Sequence, residues 1–178
     1  MTYLLIALVM AIIVSPMLWL RQTPRQKLVS AMRQTAAREG FHIRLVNPPD
    51  AREGEGHLEY VSYTLPWRGK TPQTPLPRME KWLLVSDTRR GDPSPWANWQ
   101  WLGREANPVL DVPIGDVIRN LPASVKGLEA SATGLSIYWQ ERGKESDVAV
   151  MAEQLLLLMS VIRAVSKGSQ KEEIEEFP

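Results

Sequence analysis

The sequence predicts an α+β protein: an N-terminal single transmembrane helix, then a soluble antiparallel sheet of about six strands packed on a long C-terminal helix. Three features support this: an uncharged apolar run at the start, several period-two segments between turn formers, and a helical apolar period near the end. The predicted units are a transmembrane anchor at 1–20, a basic juxtamembrane helix at 21–40, a soluble domain at 41–168 and an acidic disordered tail at 169–178.

The anchor is predicted from the run Tyr3–Leu20, which contains no charged residue. A helix over this run is about 27 Å long at about 1.5 Å per residue, close to the hydrocarbon thickness of a bilayer. A cleaved signal peptide would need a positive segment before the apolar core, and only Met1 and Thr2 precede it. The flank after the run is basic. Opposed only by Glu39, it contains Arg21, Arg25, Lys27, Arg33 and Arg38.

This charge distribution predicts the topology and one candidate contact within the membrane. By the positive-inside rule, the chain is a single-pass protein of a bacterial-type inner membrane, with its N-terminus outside and its C-terminal domain in the cytoplasm. Ala7 and Ala11 keep the four-residue spacing of small residues that allows two membrane helices to approach closely. Pro16 removes a main-chain hydrogen bond and predicts a kink. We expect these three residues to face a partner helix.

The juxtamembrane helix is predicted to start at Pro24, a favoured first helical residue, and to end at Gly40. It either continues the span as one rod or is hinged at Thr23-Pro24. Its cations lie close to the membrane and are candidates for binding anionic lipid headgroups, although they also serve simply to set the topology. These residues are Arg21, Arg25, Lys27 and Arg33.

Strands are predicted where apolar residues alternate with polar ones. In the first strand Phe41, Ile43 and Leu45 alternate with His42 and Arg44. Thr133-Gly134 is a turn signal between the last two strands and predicts a β-hairpin. The later strands are predicted at His57–Leu65, Met79–Ser86, 96–103, Val125–Ala132 and Leu135–Glu141.

The segment Pro66–Arg78 is rich in proline and is predicted to be a loop outside the sheet. Pro72 and Pro75 have the PxxP spacing of ligands for aromatic-lined grooves. A rigid connection without a ligand role explains the same composition, and the sequence leaves both interpretations open.

Trp96, Trp99 and Trp101 form the most distinctive cluster of the soluble part. Tryptophan buries a large apolar area and retains one hydrogen-bond donor, so it serves both cores and interfaces. Trp99 and Trp101 share one strand face. The cluster is therefore either core beneath a helix or, if exposed, a partner-binding surface.

Two helices are predicted in the second half of the chain. Ile114–Leu121 forms two turns that end before Pro122, and a long helix begins near Ser146. The long helix has a nearly continuous apolar run at 155–162, which is too short for a second span. Its apolar positions recur at Val148, Met151, Leu155, Leu158, Ile162 and Val165.

The residue inventory predicts no catalytic, cofactor or metal site. The chain has no cysteine, which excludes disulfides and thiolate chemistry, and its histidines are His42 and His57. It contains no phosphate-binding glycine loop and no nucleophile-elbow motif. The basic residues cluster beside the span, which disfavours nucleic-acid binding.

These features together predict a non-enzymatic accessory or scaffold subunit of a larger inner-membrane complex, whose partners are other membrane protein subunits. The alternative is a membrane-tethered module that binds a lipid headgroup or a small ligand. The alternative requires a concave pocket lined by Trp99 and Trp101.

Overall fold

The structure, a computed structural model, describes residues 3, 10, 23–52, 58–67 and 81–175. The helices are α1 (Pro24–Arg38), α2 (Asp111–Asn120) and α3 (Glu145–Glu175), and a 3-10 turn at Pro108–Leu110 precedes α2. The strands are β1 (His42–Val46), β2 (Tyr60–Pro66), β3 (Trp82–Ser86), β4 (Asp92–Pro93), β5 (Trp99–Trp101), β6 (Val125–Ala130) and β7 (Gly134–Trp139).

The strands form one antiparallel sheet of seven strands in the order β1-β2-β7-β6-β3-β5-β4. The predicted α+β class, with an antiparallel sheet and a long C-terminal helix, is confirmed. The additional strand is β4, two residues that lie between the predicted strands Met79–Ser86 and 96–103. Two residues give no period that a sequence pattern can reveal.

The helices pack on one face of the sheet. In β2 and β7 the alternate residues Val61, Tyr63, Leu135, Ile137 and Trp139 are buried on that face. Opposite them lie buried side chains of all three helices, so one core joins the sheet to the helical layer. These helical residues are Met32, Ala36, Ile114, Val117, Val148, Met151, Leu155, Leu158 and Ile162.

Helix α1 has a separate start. Thr23 has an extended backbone, with φ −65° and ψ 154°. Its hydroxyl accepts from the Gln26 main-chain N–H at 3.3 Å, and the Gln26 side chain accepts from the Thr23 N–H at 2.9 Å. This capping box defines a helix N-terminus, so of the two predicted arrangements the described residues fit a break at Thr23-Pro24.

Several boundaries differ from the sequence-based expectations. β2 includes Pro66, which pairs with Gly134 at the end of the strand, where a missing N–H is tolerated. Leu45 was predicted to share a strand face with Phe41 and Ile43, but it is 55% exposed whereas Phe41 is buried, and β1 is an edge strand of the sheet. α3 extends to Glu175, into the segment 169–178 that was predicted to be disordered.

Within the described part of the chain, one segment, Glu145–Ser166, is long and apolar enough to cross a bilayer by length and composition alone. A core helix of a soluble domain satisfies the same criterion. Met151, Leu155 and Leu158 of this segment are fully buried in the domain's own core. Of the predicted N-terminal span, only Tyr3 and Met10 lie among the described residues, and both have exposed side chains.

Candidate functional site: the Glu141 clamp and the surfaces it orients

Glu141 lies directly beyond β7 and is almost fully buried, with 5% of its surface exposed. Its Oε1 accepts from the Arg33 Nε at 2.8 Å, and its Oε2 accepts from the Arg33 Nη2 at 2.7 Å. Oε1 also accepts from the Tyr63 hydroxyl at 2.9 Å. This two-pronged guanidinium–carboxylate geometry is the strongest form of such a pair, so it fixes both orientation and distance.

The main chain of Glu141 contributes a further contact to α1. Arg25 Nη2 donates to the Glu141 carbonyl oxygen at 2.7 Å. Thr35 on the same helix donates its hydroxyl to Glu145 Oε1 at 2.7 Å, on the first turn of α3. We call the contacts of Arg25, Arg33 and Tyr63 with Glu141 the Glu141 clamp. Through it α1 is attached to the sheet by polar contacts as well as by the burial of Met32 and Ala36.

Local backbone geometry positions Glu141. Its φ is +51°, in the left-handed region that is uncommon for residues other than glycine. This conformation ends β7 and turns the chain toward α3, and the carboxylate faces the arginine and the tyrosine. We infer that the clamp contacts help to hold this conformation, because a single left-handed residue costs roughly 1 kcal/mol or more.

The clamp shifts the ionisation of its partners. Burial raises the pKa of Tyr63, and the hydrogen bond to the Glu141 carboxylate raises it further. The hydrogen bond to Glu141 also raises the pKa of the Arg33 guanidinium, although partial burial opposes this shift. Both partners therefore keep their protons at neutral pH, and the hydrogen-bond donors of the clamp stay in place.

The four cations predicted to face lipid separate into different environments. Arg33 and Arg25 bind Glu141, whereas Lys27 has an exposed side chain on the first turns of α1. Arg21 lies outside the described residues. A lipid role for these residues stays a prediction, and the side chains of Arg25 and Arg33 in addition hold α1 to the domain.

The tryptophan cluster divides between core and surface. Trp101 is 2% exposed, and its ring lies edge-on to the rings of Trp82 and Trp96, with centroids 5.8 Å away in each case. Trp96 and Trp99 are half-buried. Trp96 packs closely on Gly115 of α2, where a Cβ atom would lie 2.6 Å from the indole Nε1. Of the three tryptophans predicted to bind a partner, Trp96 and Trp99 retain surface.

Helix α3 leaves one apolar face uncovered. Val150, Leu156 and Leu157 are 38%, 52% and 56% exposed. Ala149, Ser160 and Ala164 are exposed beside them, and Glu153 is the charged residue among them. These positions recur at helical spacing and form one stripe, which we call the α3 stripe. Sequence periodicity identified the buried side of α3. Because the helix is apolar on more than one side, the sequence did not indicate which apolar side stays exposed to solvent.

The sheet face opposite the helices carries polar side chains, several of which hydrogen-bond to one another. Thr64 and Ser136 share a hydrogen bond at 2.8 Å between their hydroxyl oxygens, and Tyr138 donates to Glu129 Oε2 at 2.5 Å. Burial, reinforced by the hydrogen bond to Glu129, raises the pKa of Tyr138. These groups complete each other's hydrogen bonds, as polar groups that are buried in proteins usually do.

The described residues contain no group of three or more histidine, aspartate or glutamate side chains placed to hold a metal ion. His42 is exposed on β1, and His57 is outside the described residues. A cleft of about 420 Å³ lies beside Leu83, Arg90 and Leu102 on the polar side of the sheet, and none of the tryptophans lines it. The predictions of no metal, no cofactor and no catalysis stay predictions.

The predicted contact residues of the span, Ala7, Ala11 and Pro16, lie outside the described residues, as do Pro72 and Pro75 of the proline-rich loop. Comparison of the chain with known protein families, with curated proteins and with solved structures gave no match.

Proposed function

We propose that this protein is a single-pass, membrane-anchored accessory subunit that docks on a larger inner-membrane protein complex and carries out no catalysis itself. The apolar run Tyr3–Leu20 anchors it, and the Glu141 clamp holds its domain against the helix that leaves the membrane. The α3 stripe is the docking surface for other subunits of the complex.

The α3 stripe is the observation that carries this proposal. Isolated exposed leucines are ordinary, but Leu156 and Leu157 are adjacent and lie on a helix whose opposite side fills the core. Only 39% of the most apolar window of α3 is buried within the domain. A contiguous apolar helix face with few charges suits the centre of a protein interface, where charged residues are depleted.

The clamp supports a scaffold role because it limits the freedom of the domain. A bidentate arginine–carboxylate pair fixes geometry, and helix α1 begins only a few residues after the apolar run. The clamp therefore keeps the α3 stripe in a fixed position relative to α1, and the short segment between Leu20 and Pro24 keeps both near the membrane. A long flexible linker would instead allow the stripe to move far from the bilayer.

Co-purification in mild detergent tests the docking. A tagged full-length chain is expected to retain other membrane subunits in fixed stoichiometry. The double variant Leu156→Gln/Leu157→Gln is expected to lose them, because it removes the two most exposed leucines of the stripe and glutamine preserves helix propensity. The matched control is Val109→Gln/Val112→Gln, which removes two exposed apolar side chains elsewhere. Equal losses for both variants, or a wild-type chain recovered alone, would contradict the proposal.

A separate experiment tests the anchor and its orientation. Alkaline phosphatase is active only outside the cytoplasm, so a C-terminal fusion of this reporter is expected to be inactive in cells that contain the protein in their membrane fraction. Strong reporter activity would contradict the proposed topology. Recovery of the chain outside the membrane fraction would contradict the proposed anchor.

The alternative function, a tethered module for a lipid headgroup or small ligand, has less support. It requires a pocket lined by Trp99 and Trp101, and the Trp101 ring is packed between Trp82 and Trp96. A ligand that quenched tryptophan fluorescence in a Trp99-dependent manner would favour it over docking.

A further inference from the structure

The Glu141 clamp determines which end of the sheet lies near the membrane. Arg25 is on the first turn of α1 and donates to the Glu141 carbonyl oxygen. Leu20, the last residue of the apolar run, is four Cα steps from Pro24, and such a segment spans at most about 14 Å. If the run is a membrane span, as the proposed function requires, the end of β7 at Glu141 is held close to the bilayer surface.

Sheet pairing identifies the chain segments that share this end. β2 and β6 are antiparallel to β7, and β3 is antiparallel to β6, so β3 runs in the same direction as β7. Consequently β3 ends, and β2 and β5 begin, at the Glu141 end of the sheet. The segments there include Leu58 before β2, the turn at 96–98 before β5 and residues 142–144 after β7. The opposite end carries the hairpin turn at 131–133 and the start of β3 at Trp82.

The surface of the Glu141 end combines unpaired cations with amphipathic and apolar side chains. Arg142 and Lys144 are exposed, and no ion pair joins them to any described residue. Leu58 is 59% exposed, and the half-buried Trp96 and Trp99 lie at the start of β5. Acidic groups also lie at this end, and most of them accept hydrogen bonds. Glu141 binds Arg33 and Asp87 pairs with Lys126. Glu145 accepts from the Thr35 hydroxyl and Asp147 from the Lys144 main-chain N–H, whereas Glu59 is exposed beside Leu58.

We propose that the Glu141 end of the sheet rests on an anionic lipid surface, with Arg142 and Lys144 as its principal lipid-contacting cations. Cations near a negatively charged leaflet are attracted to it, and tryptophan rings favour the headgroup layer. The anchor brings this end to the membrane, and the charges of the 142–144 loop hold it there. This proposal rests on the anchor of the proposed function but not on docking through the α3 stripe.

The absence of cysteine from the chain allows the proposal to be tested by site-specific spin labelling. Two single-cysteine variants are labelled separately. Ser146→Cys places the label at an exposed position near the 142–144 loop, and Ala132→Cys places it at an exposed position in the hairpin turn at the opposite end of the sheet. The full-length chain is reconstituted into vesicles of phosphatidylglycerol and phosphatidylcholine that contain a nickel-chelating lipid as relaxation agent. We expect the label at 146 to relax at least several-fold faster than the label at 132.

Charge variants distinguish lipid attraction from simple proximity. We expect the relaxation enhancement of the label at position 146 to fall at least two-fold in the variant Arg142→Gln/Lys144→Gln. We expect the same fall when the unaltered loop is studied in vesicles of phosphatidylcholine alone. The control Lys81→Gln/Arg104→Gln removes two exposed cations near the opposite end of the sheet and is expected to leave the enhancement unchanged. Equal relaxation at 146 and 132, or an enhancement insensitive to the charge of the lipid and of the 142–144 loop, would overturn the proposal.

Flotation of the same vesicles separates the possible failures. A chain that does not float with the vesicles overturns the anchor and this proposal together. A chain that floats without enhancement at position 146 overturns this proposal alone. If the relaxation of the label at position 146 is enhanced in native membranes but not in vesicles that contain no other protein, the Glu141 end contacts a protein partner. That result also overturns the lipid proposal.

Discussion

Arg33 and Glu141 form a two-pronged ion pair, with nitrogen–oxygen distances of 2.8 and 2.7 Å, between residues 108 positions apart in the chain. Glu141 is nearly buried and Arg33 is about half exposed, with 47% of its side-chain surface accessible. The pair connects α1, the helix that follows the proposed anchor, to the residue that ends β7. It therefore holds α1 against the sheet together with the Arg25 contact and the burial of Met32 and Ala36.

Removal of the guanidinium should destabilise the domain. Arg33→Gln leaves a buried carboxylate with the Tyr63 hydroxyl as its remaining side-chain donor, and an unsatisfied buried group costs about 1–3 kcal/mol. Chemical unfolding of the full-length chain in detergent, followed by tryptophan fluorescence, measures the change in free energy. Arg44→Gln, at an exposed cation on β1, is the control and should change stability by less than about 0.5 kcal/mol. Similar effects for the two variants would show that the clamp contributes nothing beyond ordinary surface charge.

The raised pKa of Tyr63 predicts a loss of stability at high pH. An unfolded tyrosine has a pKa of about 10, and the folded value is higher because of burial and Glu141. The contribution is therefore complete below pH about 10 and is lost as pH rises through the folded pKa. Tyr138 contributes in the same direction through burial and Glu129.

Two phenylalanine variants separate these contributions. Tyr63→Phe and Tyr138→Phe should each reduce the decline of the unfolding free energy above pH 10 relative to the wild type, because each removes one ionising hydroxyl. Unfolding curves at several pH values between 8 and 11 provide the measurement. A decline unchanged in both variants would indicate that neither hydroxyl ionises differently in the folded and unfolded states.

The close packing of Trp96 on Gly115 predicts that the effect of Gly115→Ala on stability changes sign when the Trp96 ring is removed. An alanine at 115 would place Cβ 2.6 Å from the Trp96 indole nitrogen. Overpacking of this kind costs about 1–3 kcal/mol, whereas alanine in a helix gains about 1 kcal/mol over glycine. Gly115→Ala should therefore destabilise the wild-type chain. In a Trp96→Ala background the same change should stabilise the chain, and thermal unfolding of the four proteins measures both signs. The same sign in both backgrounds would contradict this packing.

Trp101 and Trp99 should differ in their contribution to stability. Trp101→Ala removes a ring buried against Trp82 and Trp96 and should cost about 3–5 kcal/mol. Trp99→Ala removes a half-buried ring and should cost clearly less. Unfolding free energies of the two variants provide the comparison, and an equal or larger cost at Trp99 would place the core elsewhere.

Sequence reasoning predicted elements whose period is strong and local. The alternation of Leu135, Ile137 and Trp139 predicted the buried side of β7, and Val148, Met151, Leu155 and Leu158 predicted the buried side of α3. Both predictions depend only on residues within one element. The seven-stranded order could not be read in this way, because pairing between β2 and β7 depends on contacts far apart in sequence.

No pattern in the sequence predicted the Glu141 clamp. Glu141 reads as the last residue of a strand and Arg33 as one of several cations beside the membrane. A pair across 108 positions has no spacing rule, and a left-handed backbone at a glutamate has no compositional signal. The open side of α3 was equally hidden, because Leu156 and Leu157 belong to the same apolar run as the buried Leu155 and Leu158.

The mass of the intact assembly tests the central proposal, an accessory subunit of a larger membrane complex, most directly. The tagged chain is released from native membranes in lipid nanodiscs and examined by native mass spectrometry. We expect a particle that contains this chain and other membrane subunits in fixed ratio, and that dissociates in Leu156→Gln/Leu157→Gln. A particle that contains this chain alone, with or without that double variant, would contradict it.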